Sequence, residues 1–166
     1  MIPTLNSSCS AVHPELPDLS WLEGSLRVRH IMSTAPLTVA PDVSVHQAHS
    51  LMQARQIRHL PVLDEGRLVG LVSDRDIRLV LPSPATSLAG WEVRHLLATL
   101  TVGEIMTRFV VTTTPDTPVA EAVRRLLGHK IGALPVVEDC HVVGILTHTD
   151  VLRAFLRLDR ELSDVA

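Results

Sequence analysis

The sequence predicts a mixed α/β (α+β) fold made of two strand-helix-strand-strand-helix units packed about a pseudo-twofold axis. The first observation behind this is an internal repeat. IRHLPVLDEGRLVGLVSDRDI, starting at Ile57, aligns with IGALPVVEDCHVVGILTHTDV, starting at Ile131. Pro61 then meets Pro135, Gly70 meets Gly144 and Asp76 meets Asp150, each 74 positions further on. Carried backwards without a gap, the same register pairs Ile31-Met32-Ser33 with Ile105-Met106-Thr107. It also pairs Pro41-Asp42 with Pro115-Asp116, Val45 with Val119 and Ala48 with Ala122. The second observation is that both copies change from helical to strand periodicity at the same place. The third is size: a unit of about fifty residues buries too little surface alone, so the copies are expected to pack on each other and leave a related pair of clefts between them.

The elements follow in order. Residues 1–26 form a tail with several prolines and no sustained period; its Leu19, Trp21, Leu22 and Leu26 suggest partial docking, on this chain or on a partner. Repeat 1 occupies 27–81 and repeat 2 occupies 102–158. In each, a helix follows Pro-Asp: Val45, Ala48, Leu51 and Met52 recur at helical spacing, as do Val119, Ala122, Val123, Leu126 and Leu127. Such apolar ladders are core packing. HLPVL and RLVGLV flank a turn at Asp64-Glu65-Gly66, and ALPVV and HVVGIL flank one at Glu138-Asp139-Cys140; both read as short hairpins. A second helix opens at Ser73 or Thr147 and carries Ile77 and Val80, or Val151, Leu152 and Phe155. Between the repeats, 82–101 read as a loop and a short helix whose Trp91, Leu96 and Leu97 lean on the core. Residues 159–166 form a second tail.

Composition excludes several classes of function. The 166 residues are 46% hydrophobic, enough for one core, but only 2% aromatic, with no tyrosine. That removes the usual stacking platforms for single-stranded nucleic acid. A formal charge of -3 and scattered arginines, with Lys130 the one lysine, make no polyphosphate-binding face. No nucleic-acid partner is expected. No apolar run approaches the roughly 20 residues that span a bilayer, and MIPTLNSSCS has neither a basic start nor an apolar core, so a cytoplasmic protein without a membrane partner is expected. Cys9 and Cys140 form no disulfide framework, and Cys140 beside His141 reads as a turn. His46 and His49 lack a third ligand, so no metal site is expected. No nucleophile, base and orienting group occur as a set, and there is no Gly-rich phosphate loop, so an enzyme is not expected and no catalytic residue is assigned.

The chemistry concentrates where each second helix begins. GLVSDRD and GILTHTD share one grammar, Gly-apolar-apolar-Ser/Thr-x-x-Asp. One account is a capping box, in which the acid reaches back to a free backbone N–H. The other is a binding site. Gly70 and Gly144 interrupt apolar strands, where glycine is costly unless something approaches the backbone closely. The helix start also offers N–H groups to an anion, and a carboxylate can accept from two neighbouring sugar hydroxyls.

The arrangement resembles a tandem pair of cystathionine-β-synthase (CBS) domains, over Val28 to about Leu156. The residues that carry the likeness are the IMS and IMT openings, the Pro-Asp pairs, and the two long segments aligned above. The resemblance implies a regulatory module, as in energy sensing, that binds AMP, ADP, ATP or S-adenosylmethionine between the repeats and needs no catalytic cofactor. It implies that Asp76 with Ser73, and Asp150 with Thr147, hold ribose and phosphate. Adenine would lie against Val111, Thr112 and Ile131 for the Asp76 site, and against Leu37, Thr38 and Ile57 for the Asp150 site. Arg58, His59 and Arg75 are candidate phosphate partners near Asp76, where repeat 2 has Gly132, Ala133 and Thr149. The Asp76 cleft is therefore expected to take the charged nucleotide. The Asp150 cleft is expected to be empty, to take a different ligand, or to rely on His148 for phosphate. A homodimer forming a flat four-unit disc, and an effector protein that responds to the ligand, complete the expectation. The alternative is a structural or protein-interaction module whose clefts bind nothing.

Overall fold

The computed structural model describes residues 26–80 and 90–163; Leu19, Trp21 and Leu22, and residues 81–89, lie outside them. A 3-10 turn at Val28–His30 leads into β1 (Ser33–Thr34), α1 (Val45–Arg55), β2 (His59–Asp64), β3 (Arg67–Ser73) and α2 (Asp74–Val80). After α3 (Gly90–Thr99) come α4 (Val102–Ile105), α5 (Val119–His129), β4 (Ala133–Glu138), β5 (His141–Thr147) and α6 (His148–Ser163).

Each predicted helix and hairpin forms, for reasons visible in its ends. Ser44 caps α1: its hydroxyl accepts from Gln47 N, and the Gln47 side chain accepts from Ser44 N. Gln56 and Lys130 close α1 and α5 in the left-handed conformation. The two hairpins turn on Glu65-Gly66 and Asp139-Cys140, all four at positive φ, which matches the right-handed twist of the strands they join. Cys140 thus takes a backbone conformation that repeat 1 gives to glycine.

The opening strand expected in each unit shrinks to one parallel bridge, Val39 to Val62 and Thr113 to Val136. Pro41 and Pro115 follow closely and have no N–H with which to extend a ladder. The segments before them do something else. β1 pairs with β5 of the other repeat, Ser33 opposite Ile145 and Thr34 opposite Gly144. In return Thr107 pairs with Leu71 of β3. Arg27 bridges Pro118, and Ser44 bridges Thr101. Ser33–Ile145 and Leu71–Thr107 are mates 74 positions apart with the roles of the copies reversed, as are Arg27–Pro118 and Ser44–Thr101, which is the signature of a twofold relation.

The leaders therefore exchange, and so do the cores. The first core gathers Val45, Ala48, Met52, Leu60, Val62, Val72 and Ile77 together with Leu97, Val102 and Met106 from beyond repeat 1. The second gathers Ala122, Leu126, Leu134, Val136 and Leu146 around Val28, with Ile31 and Met32 packed on it.

This exchange corrects the account of the glycines. The group that crowds Gly70 is Met106 with its neighbour: a Cβ there would stand 2.9 Å from Met106 Cγ and 3.2 Å from the Thr107 carbonyl oxygen. At Gly144 it would stand 2.6 Å from Met32 Sδ and 3.1 Å from the Ser33 carbonyl oxygen. The close approach inferred from sequence is real, and its source is the exchanged leader rather than a ligand.

Not every apolar residue on a helical period is buried. Leu97 is buried, but Trp91 is 64% exposed; the Leu96 side chain is outside the described residues. Leu127, Leu152, Phe155 and Leu156 are exposed while Ala154 is buried. The apolar arc of α6 is wider than the narrow contact it makes with β5, so its larger side chains stay in solvent.

Candidate functional site

Both second helices begin with a closed capping box. Ser73 donates to Asp76 Oδ2 from its backbone N at 2.8 Å and from its hydroxyl at 2.6 Å, and Asp76 N donates back to the Ser73 hydroxyl at 3.3 Å. Thr147 and Asp150 repeat the three contacts at 2.8, 2.6 and 3.3 Å. The acid at the fourth position is thus fixed by its own helix start, and the capping account of this motif holds in both copies.

What differs is the second carboxylate oxygen. Asp150 Oδ1 accepts from the Ser33 hydroxyl at 3.2 Å, and Asp150 is only 8% exposed. Asp76 is half-buried, and among the described residues its Oδ1 has no hydrogen-bond partner; Thr107 stands where repeat 1 supplies Ser33. Both carboxylate oxygens of Asp150 are engaged within the fold, whereas Asp76 engages one.

Asp76 and Asp150 both line one continuous cleft of about 1160 Å³ between the repeats, and Asp150 also borders a smaller cavity of about 190 Å³ beside Ser33 and Arg153. The fusion follows from β3 and β5, the last strands of the two repeats, lying beside one another across the axis. Ser73, Arg58, His59, Arg75, Val111, Ile131 and Gly132 line it, as do Thr147, His148, Leu37 and Ile57. Thr38 and Thr112 do not. Thr38 is exposed elsewhere, and the Thr112 carbonyl accepts from Arg125 Nη1 at 2.8 Å.

His59 sits where the halves meet, with its ring against Gly132, whose missing side chain makes the room. Burial holds its pKa below the ordinary 6.5; Asp76 opposes that shift, His148 and Arg58 add to it, and Asp74 opposes it. Asp74 is itself held by Arg78 through an ion pair, with His49 Nε2 3.9 Å away. Among the described residues no group of three or more His, Cys, Asp or Glu stands close enough to hold a metal ion.

The lining residues that the sequence reading leaves unassigned include Leu79, Phe109, Lys130 and Arg153. The repeat register held a signal for two of them. Leu79 aligns with Arg153, three positions after Asp76 and Asp150, so each faces the cleft one helical turn beyond its acid.

Fold and cleft together define a paired-repeat module with a polar and apolar crevice at its pseudo-twofold axis. The chain belongs to the CBS domain family, whose model matches residues 28–83 and 102–157. It is 34% identical over 130 residues to the L-aspartate semialdehyde sulfurtransferase of Methanocaldococcus jannaschii, a match covering 77% of this chain and 23% of that protein. The chain therefore spans about a quarter of that relative. A CBS domain-containing protein of Dictyostelium discoideum is 30% identical over 133 residues, 79% of this chain and 92% of the relative. Among solved structures, the CBS domain pair of protein MJ0100, in complex with 5′-methylthioadenosine and S-adenosyl-L-methionine, matches at TM-score 0.66 and 33% identity, covering 78% of this chain and 99% of that one. CBSX2 in complex with AMP matches at TM-score 0.68 and 31% identity, covering 81% and 99%. Among the described residues no helix is long and apolar enough to cross a membrane.

Proposed function

We propose that this module binds an adenosine-containing ligand, AMP, ADP, ATP or S-adenosylmethionine, in the Asp76 half of the cleft, and that a partner protein responds to its occupancy. The observation that carries this is Asp76 Oδ1: an acceptor held rigidly at a helix start, without a partner among the described residues, on the wall of a cleft large enough for a nucleotide. A ribose diol supplies the two donors such an oxygen can take. Ser73 orients the acid, Arg58, His59 and Arg75 receive the phosphate, and Val111 and Ile131 bound the base. Similarity to structures complexed with AMP and with S-adenosyl-L-methionine supports the ligand class. The Asp150 half, with Thr147, His148, Leu37 and Ile57, is the weaker site, because a ligand there must displace Ser33.

Binding biases the module only by the difference in affinity between its arrangements. A cytoplasmic homodimer used in regulation such as energy sensing, without catalysis of its own, completes this proposal. The test is thermal melting with AMP, ATP and S-adenosylmethionine. Ligand at about a hundred times its Kd stabilises by about 2.7 kcal/mol, which raises Tm by about 5–10 °C in a domain of this size. Asp76→Ala removes most of that rise. It also removes a helix cap, so the unliganded Tm falls modestly and the ligand-dependent shift is the quantity to compare.

One observation favours a second reading, a structural module with non-binding clefts: both acids are used by their own helix starts. No ligand shift in the wild type selects it; an unchanged shift in Asp76→Ala would instead take the ribose away from Asp76 and leave its carboxylate a helix cap.

A further inference from the structure

The smaller cavity of about 190 Å³ lies between the leader of repeat 1 and α6. Its polar wall is His30 and Ser33 from the leader and Asp150, Arg153 and Arg157 from α6. Three of the five are basic, and all three are exposed, so an ion reaches them from solvent. Arg153 and Arg157 stand about one helical turn apart, where like charges repel. Among the described residues neither guanidinium has a hydrogen-bond or ion-pair partner. The arginines of the leader differ, since Arg27 and Arg29 both bond to Asp116. His30 adds a donor: the Arg27 backbone N–H donates to its Nδ1 at 3.0 Å, so the neutral ring carries its proton on Nε2. The one acid of the cavity, Asp150, has both oxygens occupied, by Thr147 and by Ser33. In the other half the same register places Glu104 at His30 and Leu79 at Arg153. Glu104 there accepts from the Thr101 N–H and hydroxyl, each at 2.7 Å. The gathering of unpaired donors is therefore a property of one half only.

We propose that this cavity is a site for a phosphate-class oxyanion, inorganic phosphate or the phosphoryl group of a larger ligand, held by Arg153 and Arg157 from α6 and by His30 from the leader. It is smaller than the roughly 300 Å³ at which pockets take whole small molecules, and so admits a single such group. Guanidinium forks match phosphate oxygens in pairs, and an oxyanion between Arg153 and Arg157 offsets their mutual repulsion. His148, the phosphate candidate of the Asp150 half, lines the cleft and not this cavity. The site is therefore separate from the nucleotide cleft, and it does not depend on the ribose assignment to Asp76.

The test is NMR titration of backbone amides in the full chain with inorganic phosphate, AMP and adenosine, at ionic strength held constant with chloride. The proteins are wild type, Arg153→Gln, Arg157→Gln, His30→Gln and, as a control, Arg160→Gln, an exposed α6 arginine outside the cavity. Saturable phosphate shifts at the Ser33 and Ala154 amides are expected. They should weaken roughly tenfold in Arg153→Gln and Arg157→Gln, less in His30→Gln, and not at all in Arg160→Gln. The nucleotide arms identify the source. AMP behaviour that is the same in Arg157→Gln and wild type assigns the free ion; AMP weakened in Arg157→Gln with adenosine unchanged assigns the phosphoryl group of a larger ligand. Phosphate shifts that never saturate, or that Arg160→Gln weakens as much as Arg157→Gln does, show surface charge alone and overturn the site. Adenosine weakened in Arg157→Gln as much as AMP also overturns it, because the arginine would then act on the cleft rather than on an oxyanion.

Discussion

At the start of α2 the carboxylate gives one oxygen to Ser73 and keeps the other for the cleft; at the start of α6 the same carboxylate gives its second oxygen to Ser33. The helix starts are alike to within the hydrogen-bond distances, yet the second oxygen is engaged by Ser33 in one half and by none of the described residues in the other. The difference comes from the leaders. Because each leader crosses to the opposite repeat, the wall facing Asp150 is built by Ser33 and Ala35, and the wall facing Asp76 by Thr107 and Phe109. A duplicated motif can thus acquire two chemistries without changing itself, through substitutions in a segment that belongs in sequence to the other copy.

The leader exchange also sets the largest stability effect. Gly70→Ala drives a methyl into Met106 and toward the Thr107 carbonyl, and is expected to cost about 1–3 kcal/mol in urea melts. Gly144→Ala meets Met32 and Ser33 with slightly more room and is expected to cost less. Pairing Gly70→Ala with Met106→Ala recovers part of the loss if the leader is what the glycine accommodates; full additivity would place the clash elsewhere.

A second contrast concerns the single-bridge strands. Repeat 1 uses Val39 where repeat 2 uses Thr113, which is buried and whose Oγ1 has no hydrogen-bond partner among the described residues. Thr113→Val keeps the shape and removes the unsatisfied hydroxyl, so it is expected to stabilise by about 1 kcal/mol. A loss of stability would show that the hydroxyl does useful bonding.

The smallest effect is on pH. His59 in repeat 1 corresponds in the repeat register to Ala133 in repeat 2, so only one half carries this half-buried imidazole. With its folded pKa depressed, His59 contributes nothing above about pH 6.5, where both states are neutral. As pH falls below that, the unfolded chain takes up a proton that the folded chain resists, and stability declines until the folded pKa is passed. His59→Ala is expected to flatten this decline in denaturant melts taken across acidic pH; an unchanged slope would assign it to other groups.

Much of this was legible in the sequence, and the limits have a physical cause. The helices at Val45 and Val119, the hairpins, and the Ser/Thr-to-Asp helix starts follow from periodicity and end chemistry, which are local. The leader exchange is not local: a repeat shows which residues correspond, not which copy they pack against. For that reason the sequence shows that something approaches Gly70 and Gly144 closely but not that Met106 and Met32 do, and that the repeats leave related clefts but not that one continuous cleft reaches both acids. Leu152 and Phe155 were legible as helical but not as exposed, since exposure depends on how wide a contact the neighbouring hairpin offers.

The inequality of the two halves is tested most directly by the stoichiometry of AMP binding in isothermal titration of wild type, Asp76→Asn and Asp150→Asn. One tight site per chain is expected in wild type, retained in Asp150→Asn and weakened roughly tenfold to hundredfold in Asp76→Asn. Equal loss in the two variants, or loss in Asp150→Asn alone, would contradict it.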